Sequence, residues 1–150
     1  MSIQRILHVE DNKGDANLLR EAVAEMSHGI SIDYMSNGKL AIEWLHLRHE
    51  TAALLPELIV TDINMPQMNG FAFLRLIRSH HLWDGIPVLM LTSSNRASDR
   101  ENARILGAAG YLLKPSEYEG YVDLARCLLR FPDMDSPSAE AGAMTGSGTP

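Results

Sequence analysis

Residues 57–70 read Glu-Leu-Ile-Val-Thr-Asp-Ile-Asn-Met-Pro-Gln-Met-Asn-Gly. Leu58, Ile59 and Val60 form a short, unbroken apolar run with β-branched members, the pattern of a strand covered on both faces in a parallel sheet. Asp62 follows this run, and Pro66 and Gly70 keep the chain from continuing as strand. In an open parallel sheet chemistry collects outside the carboxyl ends of the strands, so Asp62 stands where a reactive side chain is placed. The alternative is a helix cap. Ser or Asn would cap as well, so the neighbours of this carboxylate decide its role.

Working outward, residues 3–9 form a mostly apolar first strand that ends on Glu10 and Asp11. Asn12, Gly14 and Asp15 supply turn and cap chemistry for a helix with Leu19, Ala22, Val23 and Met26 on one face, closing near Ser27, His28 and Gly29. Ile30, Ile32 and Tyr34 alternate with polar neighbours in a short edge strand that stops at Asn37-Gly38. Asn37 then caps a helix carrying Ala41, Trp44, Leu45 and Arg48. Beyond Asp62 a helix over 69–79 is expected to turn Phe71, Leu74 and Ile77 inward. Residues 86–91 make another buried strand, ending on Thr92, Ser93 and Ser94. A more polar helix over 97–106 and a small-residue turn at 107–110 lead to a fifth strand, Tyr111, Leu112 and Leu113, which ends on Lys114-Pro115. Tyr118, Tyr121, Val122, Ala125, Leu128 and Leu129 mark a last helix. Five strand signals alternating with helical ones imply right-handed crossovers and an α/β fold, a doubly wound five-stranded parallel sheet, in residues 1–131. Residues 132–150, rich in Ser, Gly, Ala and Pro with three acids and no base, read as a flexible acidic tail unable to bury a core.

Composition narrows the partners. The 150 residues are 45% hydrophobic, enough for one domain with a real core. Nineteen acidic against thirteen basic residues give a net charge of −6, which argues against nucleic acid as a partner and suits a pocket that takes up a cation. Cys127 is the single cysteine, so no intramolecular disulfide forms. No signal peptide and no membrane-spanning stretch is evident, and a cytoplasmic location is expected.

If the sheet is doubly wound, Glu10-Asp11, Asp62, Thr92 and Lys114 converge on one rim. Three carboxylates brought together raise one another's pKa unless a cation sits between them. Oxygen ligands of this kind suit Mg2+, or Mn2+ in its place. A divalent cation, a hydroxyl and a lysine around one aspartate form an apparatus for phosphoryl transfer in which the protein supplies the acceptor.

Val9-Glu10-Asp11-Asn12, Asp62-Ile63-Asn64-Met65-Pro66 with Gly70, Leu91-Thr92-Ser93 and Tyr111-Leu112-Leu113-Lys114-Pro115 together resemble the receiver domain of two-component response regulators, the CheY-like group. The resemblance covers residues 3–131. It implies a flavodoxin-like (βα)5 fold with strand order 2-1-3-4-5, in which Asp62 is the phospho-acceptor. It also implies a metal held by Asp11, Asp62 and the main-chain carbonyl of Asn64, with Glu10 acting through a water. Lys114 pairs with the phosphoryl oxygens, Thr92 is the hydroxyl that moves toward them, and Tyr111 is the aromatic switch that turns inward; Ser93 and Pro115 support them. Glu10 stands where many receivers have Asp, a variant that tunes metal affinity. Nothing resembling an output domain follows Phe131, so the chain looks like a stand-alone receiver that catalyses only its own phosphorylation and dephosphorylation. Asp15 after Glu-Asp-Asn, Asn37-Gly38 with Trp44-Leu45, and Leu82-Trp83 also look like the single-domain regulators that accompany bacterial phytochrome kinases. The implied partners are a histidine kinase, of phytochrome type by that likeness, and a histidine phosphotransferase that passes phosphate on.

Two other readings compete. A haloacid-dehalogenase-like phosphatase also uses an Asp nucleophile and Mg2+ at a strand end, but needs a second Asp two residues on, where this chain has Asn64. A degenerate receiver serving only as a binding module would have lost the acidic pair, Asp62 or Lys114, and all are present. Elsewhere, His8 in the first strand reads as a buried, hydrogen-bonded histidine rather than a ligand. His80 and His81 read as a solvated turn, His46 and His49 as surface, and Cys127 as packed. Tyr118, Tyr121 and Leu128 at helical spacing suggest surplus apolar area on the face of the fourth helix, fifth strand and last helix, and hence a two-fold homodimer through it.

Overall fold

The computed structural model describes residues 3–27 and 29–131. The strands are β1 (Arg5–Val9), β2 (Ser31–Met35), β3 (Leu58–Thr61), β4 (Val88–Thr92) and β5 (Gly110–Leu113). The helices are α1 (Lys13–Met26), α2 (Gly38–Glu50), α3 (Gly70–Ser79), α4 (Ala97–Ile105) and α5 (Tyr118–Leu128). All strand pairings are parallel, in the order β2-β1-β3-β4-β5. The chain leaves β1 toward β2 on one side and returns to place β3 on the other, so the crevice between β1 and β3 is the switch point of the sheet. The expected tail, 132–150, and His28 lie outside the described residues.

The period of two along the strands divides the core. Leu7, Val9, Ile59, Val88 and Met90 face α2, α3 and α4, where they meet Ala41, Leu45, Phe73, Leu74, Ile77 and Ala103. Ile6, Leu58, Val60, Leu89 and Leu91 face α1 and α5, against Leu19, Ala22, Val23, Leu124 and Ala125. β3 and β4 are buried at every position because helices cover both faces. On α3 it is Phe73, not Phe71, that joins Leu74 and Ile77 in full burial; Phe71 packs half-buried at the margin. The reason is helical spacing: residues 73, 74 and 77 fall on one stripe, whereas 71 lies toward its edge.

Caps fix where the helices start above the sheet. Asn12, Asn37 and Asn69 each accept a hydrogen bond from the backbone amide three residues on, those of Asp15, Leu40 and Ala72, at 2.9 Å. Gly70 opens α3 directly beneath β3. A Cβ there would fall 2.1 Å from the carbonyl oxygen of Asp62, so only glycine lets the helix close on the strand end. The loop between them is tight: Gln67 takes a positive φ of 68° and the Gly70 amide donates to the Ile63 carbonyl at 2.7 Å. No helix among the described residues is long and apolar enough to cross a membrane.

Candidate functional site

The parallel sheet carries Glu10 and Asp11, Asp62, Thr92 and Lys114 to one rim. Val9 and Thr61 are register partners, which sets Glu10 and Asp11 beside Asp62 across the β1–β3 crevice. One carboxylate oxygen from each of Glu10, Asp11 and Asp62 lies within 4.8 Å of the others, with Glu10 and Asp62 buried and Asp11 exposed. Lys114, extended from the end of β5, reaches this cluster with its Nζ 2.9 Å from Asp62 Oδ2, 2.8 Å from Asp15 Oδ2 and 3.0 Å from Glu10 Oε1. Asp62 uses its other oxygen, Oδ1, to accept from the Ile63 amide at 2.6 Å. That bond fixes the carboxylate plane while leaving one edge toward lysine and solvent.

The electrostatics follow from burial. Glu10 is completely shielded from water, and desolvation lifts its pKa to about 7 despite Lys114 and the Asn12 amide, which donates to its Oε2. Burial also opposes charge on Lys114, but its hydrogen bonds to Asp15 and Asp62 and its pairing with Glu10 hold its pKa above the ordinary lysine value. Oε1 of Glu10 has the Lys114 ammonium as its ion-pair partner at 3.0 Å. Three carboxylates converging at one strand rim, two of them buried, form a donor set that fits a hard divalent cation. Among the described residues, Glu10, Asp11 and Asp62 form the group able to hold one. Asn64, whose main-chain carbonyl was expected to join them, sits exposed at the start of the β3–α3 loop.

Thr92, the last residue of β4, is wholly buried, and its Oγ1 accepts from the Ser94 amide at 3.2 Å. Ser94 rather than Ser93 organises this corner. Its Oγ donates to Asp99 Oδ2 at 2.5 Å, and its carbonyl accepts from the Tyr111 hydroxyl at 2.9 Å, while Ser93 is exposed. Tyr111 already lies inward, with the Arg100 guanidinium 4.7 Å from its ring centroid. Burial raises its pKa. Pro115 is seated on α5 by Gly120, where a Cβ would come within 2.5 Å of the proline Cβ. Asp15 and Ser94 are therefore members of the site that the sequence reading assigned to a helix start and a turn. The signal available for Asp15 was its place in the first turn of α1, directly above the acidic pair; for Ser94 it was only its position two residues after Thr92.

A family model described as the response regulator receiver domain matches residues 6–126. The chain is a response regulator receiver domain. This receiver is 32% identical over 143 residues to the response regulator MprA of Mycolicibacterium vanbaalenii, covering 95% of this chain and 58% of MprA. Its fold is similar to that of the phosphorylated cyanobacterial phytochrome response regulator RcpA, at 29% identity and a TM-score of 0.75, over 83% of this chain and 89% of RcpA. It is also similar to the Mn(2+)-bound form of the response regulator Rcp1, at 25% identity and a TM-score of 0.74, over 89% of this chain and 99% of Rcp1. The strand order and five helices agree with the fold expected of such receivers.

Three expectations away from the site need correction. Tyr121 and Leu128 are 2% and 0% exposed, packed with Leu124 and Ala125 between α1 and the sheet, so they offer no surplus area for a dimer face. Tyr118 is half-buried and donates to Glu25 of α1 at 2.6 Å. His8 is buried as expected, yet its Nε2 has no hydrogen-bond partner; desolvation takes its pKa down to about 4 and keeps it neutral against Tyr34. His80 is not a solvated turn residue. Its ring stacks on buried Trp83 at 3.9 Å, and its Nδ1 accepts from the Leu82 amide. His46 and His49 are exposed, and Cys127 is packed.

Proposed function

We propose that this receiver accepts a phosphoryl group on Asp62 from a phosphorylated histidine kinase. The observation that carries the proposal is the placing of one lysine, Lys114, 2.9 Å from Asp62 Oδ2, with Glu10 and Asp11 supplying carboxylates alongside. A carboxylate oxygen of Asp62 attacks the phosphorus, the phosphorus–nitrogen bond to the kinase histidine breaks, and the imidazole leaves carrying the electron pair and takes up a proton. The product is an aspartyl phosphate. Asp11, Asp62 and the main-chain carbonyl of Asn64, with Glu10 through a water, would hold Mg2+, which would supply positive charge to the transferring oxygens. Lys114 exchanges its bond to Asp62 Oδ2 for one to a phosphoryl oxygen, which keeps it in place while the net charge at the acceptor grows more negative. Thr92 gives a hydroxyl to another oxygen by releasing the Ser94 amide, and the Ser94 carbonyl passes that motion to Tyr111.

The kinase is of phytochrome type in this reading, supported by the likeness to RcpA and Rcp1, and the site of action is the cytoplasm. A histidine phosphotransferase is the acceptor if the phosphate moves on. Turnover of external phosphate esters is not part of the function, because Asn64 stands where a phosphatase of this geometry needs a proton-donating Asp. The output surface is α4 with β5, where Ile105 and Leu113 are exposed; a homodimer through that face would use these two residues in place of Tyr121 and Leu128.

Beryllofluoride with Mg2+, followed by amide resonances, tests the reading. Shifts at Thr92, Ser94 and Tyr111 are expected in the wild type and not in Lys114→Ala. The same shifts in Asp62→Ala would overturn it.

A further inference from the structure

The Lys114 ammonium has three N–H donors and meets three carboxylates, Glu10 Oε1 at 3.0 Å, Asp62 Oδ2 at 2.9 Å and Asp15 Oδ2 at 2.8 Å. Glu10 and Asp62 are buried, whereas the Asp15 side chain is 29% exposed, so Asp15 is the partner on the solvent side. Its approach follows from how α1 begins. Asn12 caps the helix and accepts from the Asp15 amide, and an acid three residues after a cap ordinarily reaches back to the cap's own amide. Here the Asn12 amide donates instead to Glu10 Oε2 at 3.1 Å. The Asp15 carboxylate is thereby left for the lysine, and the N-terminal end of α1 favours its negative charge.

The three partners stand differently toward an incoming phosphoryl group. Asp62 gives up Lys114 as its oxygen attacks phosphorus, and Glu10 stays buried behind the ammonium. Asp15 holds the ammonium from the side open to solvent, by which a donor arrives, and together with exposed Asp11 makes that side negative. We propose that Asp15 is a positioning residue that also sets donor specificity: it fixes Lys114 at the rim and, through its charge, disfavours small, doubly charged phosphoryl donors. A phosphohistidine presented by a docked protein offsets that repulsion with contacts elsewhere on the domain, whereas a small donor has only its phosphoryl group to bind with. The proposal rests on Asp62 being the acceptor.

Acetyl phosphate and phosphoramidate test it. At neutral pH the first is a dianion and the second carries a single net negative charge. In both cases an Asp62 oxygen attacks phosphorus; the phosphorus–oxygen bond to acetate or the phosphorus–nitrogen bond to ammonia breaks, and the leaving group keeps the electron pair. With Mg2+ saturating for each variant, the ratio of second-order rate constants, acetyl phosphate over phosphoramidate, should rise about fivefold in Asp15→Asn, the size of one charge interaction at short range in a partly solvated site. The rise should shrink at high salt. Asp15→Glu keeps the charge and should keep the wild-type ratio. A second readout needs neither metal nor donor: the side-chain ammonium resonance of Lys114 should be sharp in the wild type and broadened by exchange with water in Asp15→Asn. A ratio unmoved in Asp15→Asn overturns the specificity role, as does an equal rise in Asp15→Glu. An unchanged Lys114 resonance overturns the positioning role. If neither donor modifies wild-type Asp62, the assignment of the acceptor itself fails, and the inference fails with it.

Discussion

Asp15 and Lys114, 99 positions apart in the chain, are joined by an ion pair of 2.8 Å at the mouth of the acidic crevice. The pair ties the first turn of α1 to the end of β5 across the site. It gives Lys114 a third carboxylate besides Glu10 and Asp62, so the ammonium is steered from outside the acceptor as well as from within. Asp15→Ala should lower stability by about 1 kcal/mol, since the aspartate is partly exposed and Lys114 keeps two other partners. It should also weaken Mg2+ affinity by roughly fivefold through loss of one nearby negative charge. Thermal melts and a metal titration check both. Unchanged melting with unchanged metal affinity would mean that the pair positions nothing.

Gly70 packs so closely under the end of β3 that any Cβ there would meet the main-chain carbonyl of Asp62, the proposed acceptor. Gly70→Ala puts a methyl group where 2.1 Å separates it from Asp62 oxygen, and neither side of that contact is a flexible side chain. The β3–α3 loop must move, at an expected cost of more than about 2 kcal/mol. Asp62 should lose reactivity toward a small phosphoryl donor even under conditions where the variant is folded. Denaturant unfolding together with phosphorylation at low temperature separates the two effects.

The raised pKa of Glu10 has a defined consequence for stability. In the unfolded chain this group titrates near its ordinary 4.5, and in the folded protein near 7. Between those values the folded state binds more protons, so stability falls as pH rises from about 4.5 to 7 and is level above that. The metal-free protein should lose at most roughly 3 kcal/mol over this window. Glu10→Gln should flatten the profile. Saturating Mg2+ should do so too, by stabilising the ionised carboxylates in the folded state. Urea unfolding across that pH window, with chelator and with metal, measures it.

Much of this architecture is legible in the residues because strand ends and chemistry coincide. Leu58 to Val60 stopping on Asp62, and Leu112-Leu113 stopping on Lys114, locate both the sheet and its functional rim. What escaped has physical causes. Asp15 offered a sufficient explanation in helix capping, and nothing local shows that a lysine from β5 will reach it. Ser94 acts through its main-chain carbonyl as much as its hydroxyl, and a carbonyl has no signature in sequence. Tyr121 and Leu128 sit at helical spacing that marks one face of α5 but does not say which way it points. Packing against α1 decided that. His8 was placed correctly in the core, but whether a buried ring nitrogen finds a partner depends on a neighbouring strand, here one that presents Tyr34.

In the proposed pathway Tyr111 carries the change at Asp62 to the surface. Its hydroxyl donates to Ser94 at 2.9 Å, so Tyr111→Phe should cost about 1 kcal/mol and leave phosphoryl uptake at Asp62 near normal. The phosphorylated variant should nevertheless fail to alter hydrogen exchange along α4. Normal exchange changes in Tyr111→Phe would remove the tyrosine hydroxyl from the pathway.

The central claim is that Asp62 is the acceptor and depends on a divalent cation. Incubating the full chain with acetyl phosphate and Mg2+, then trapping the acyl phosphate with borohydride and mapping the modified peptide by mass spectrometry, tests it most directly. A single modification at Asp62 is expected, absent from Asp62→Asn and from samples with excess chelator. Modification of Asp62→Asn at another carboxylate to the same extent, or undiminished modification of Asp62 in chelator, would contradict it.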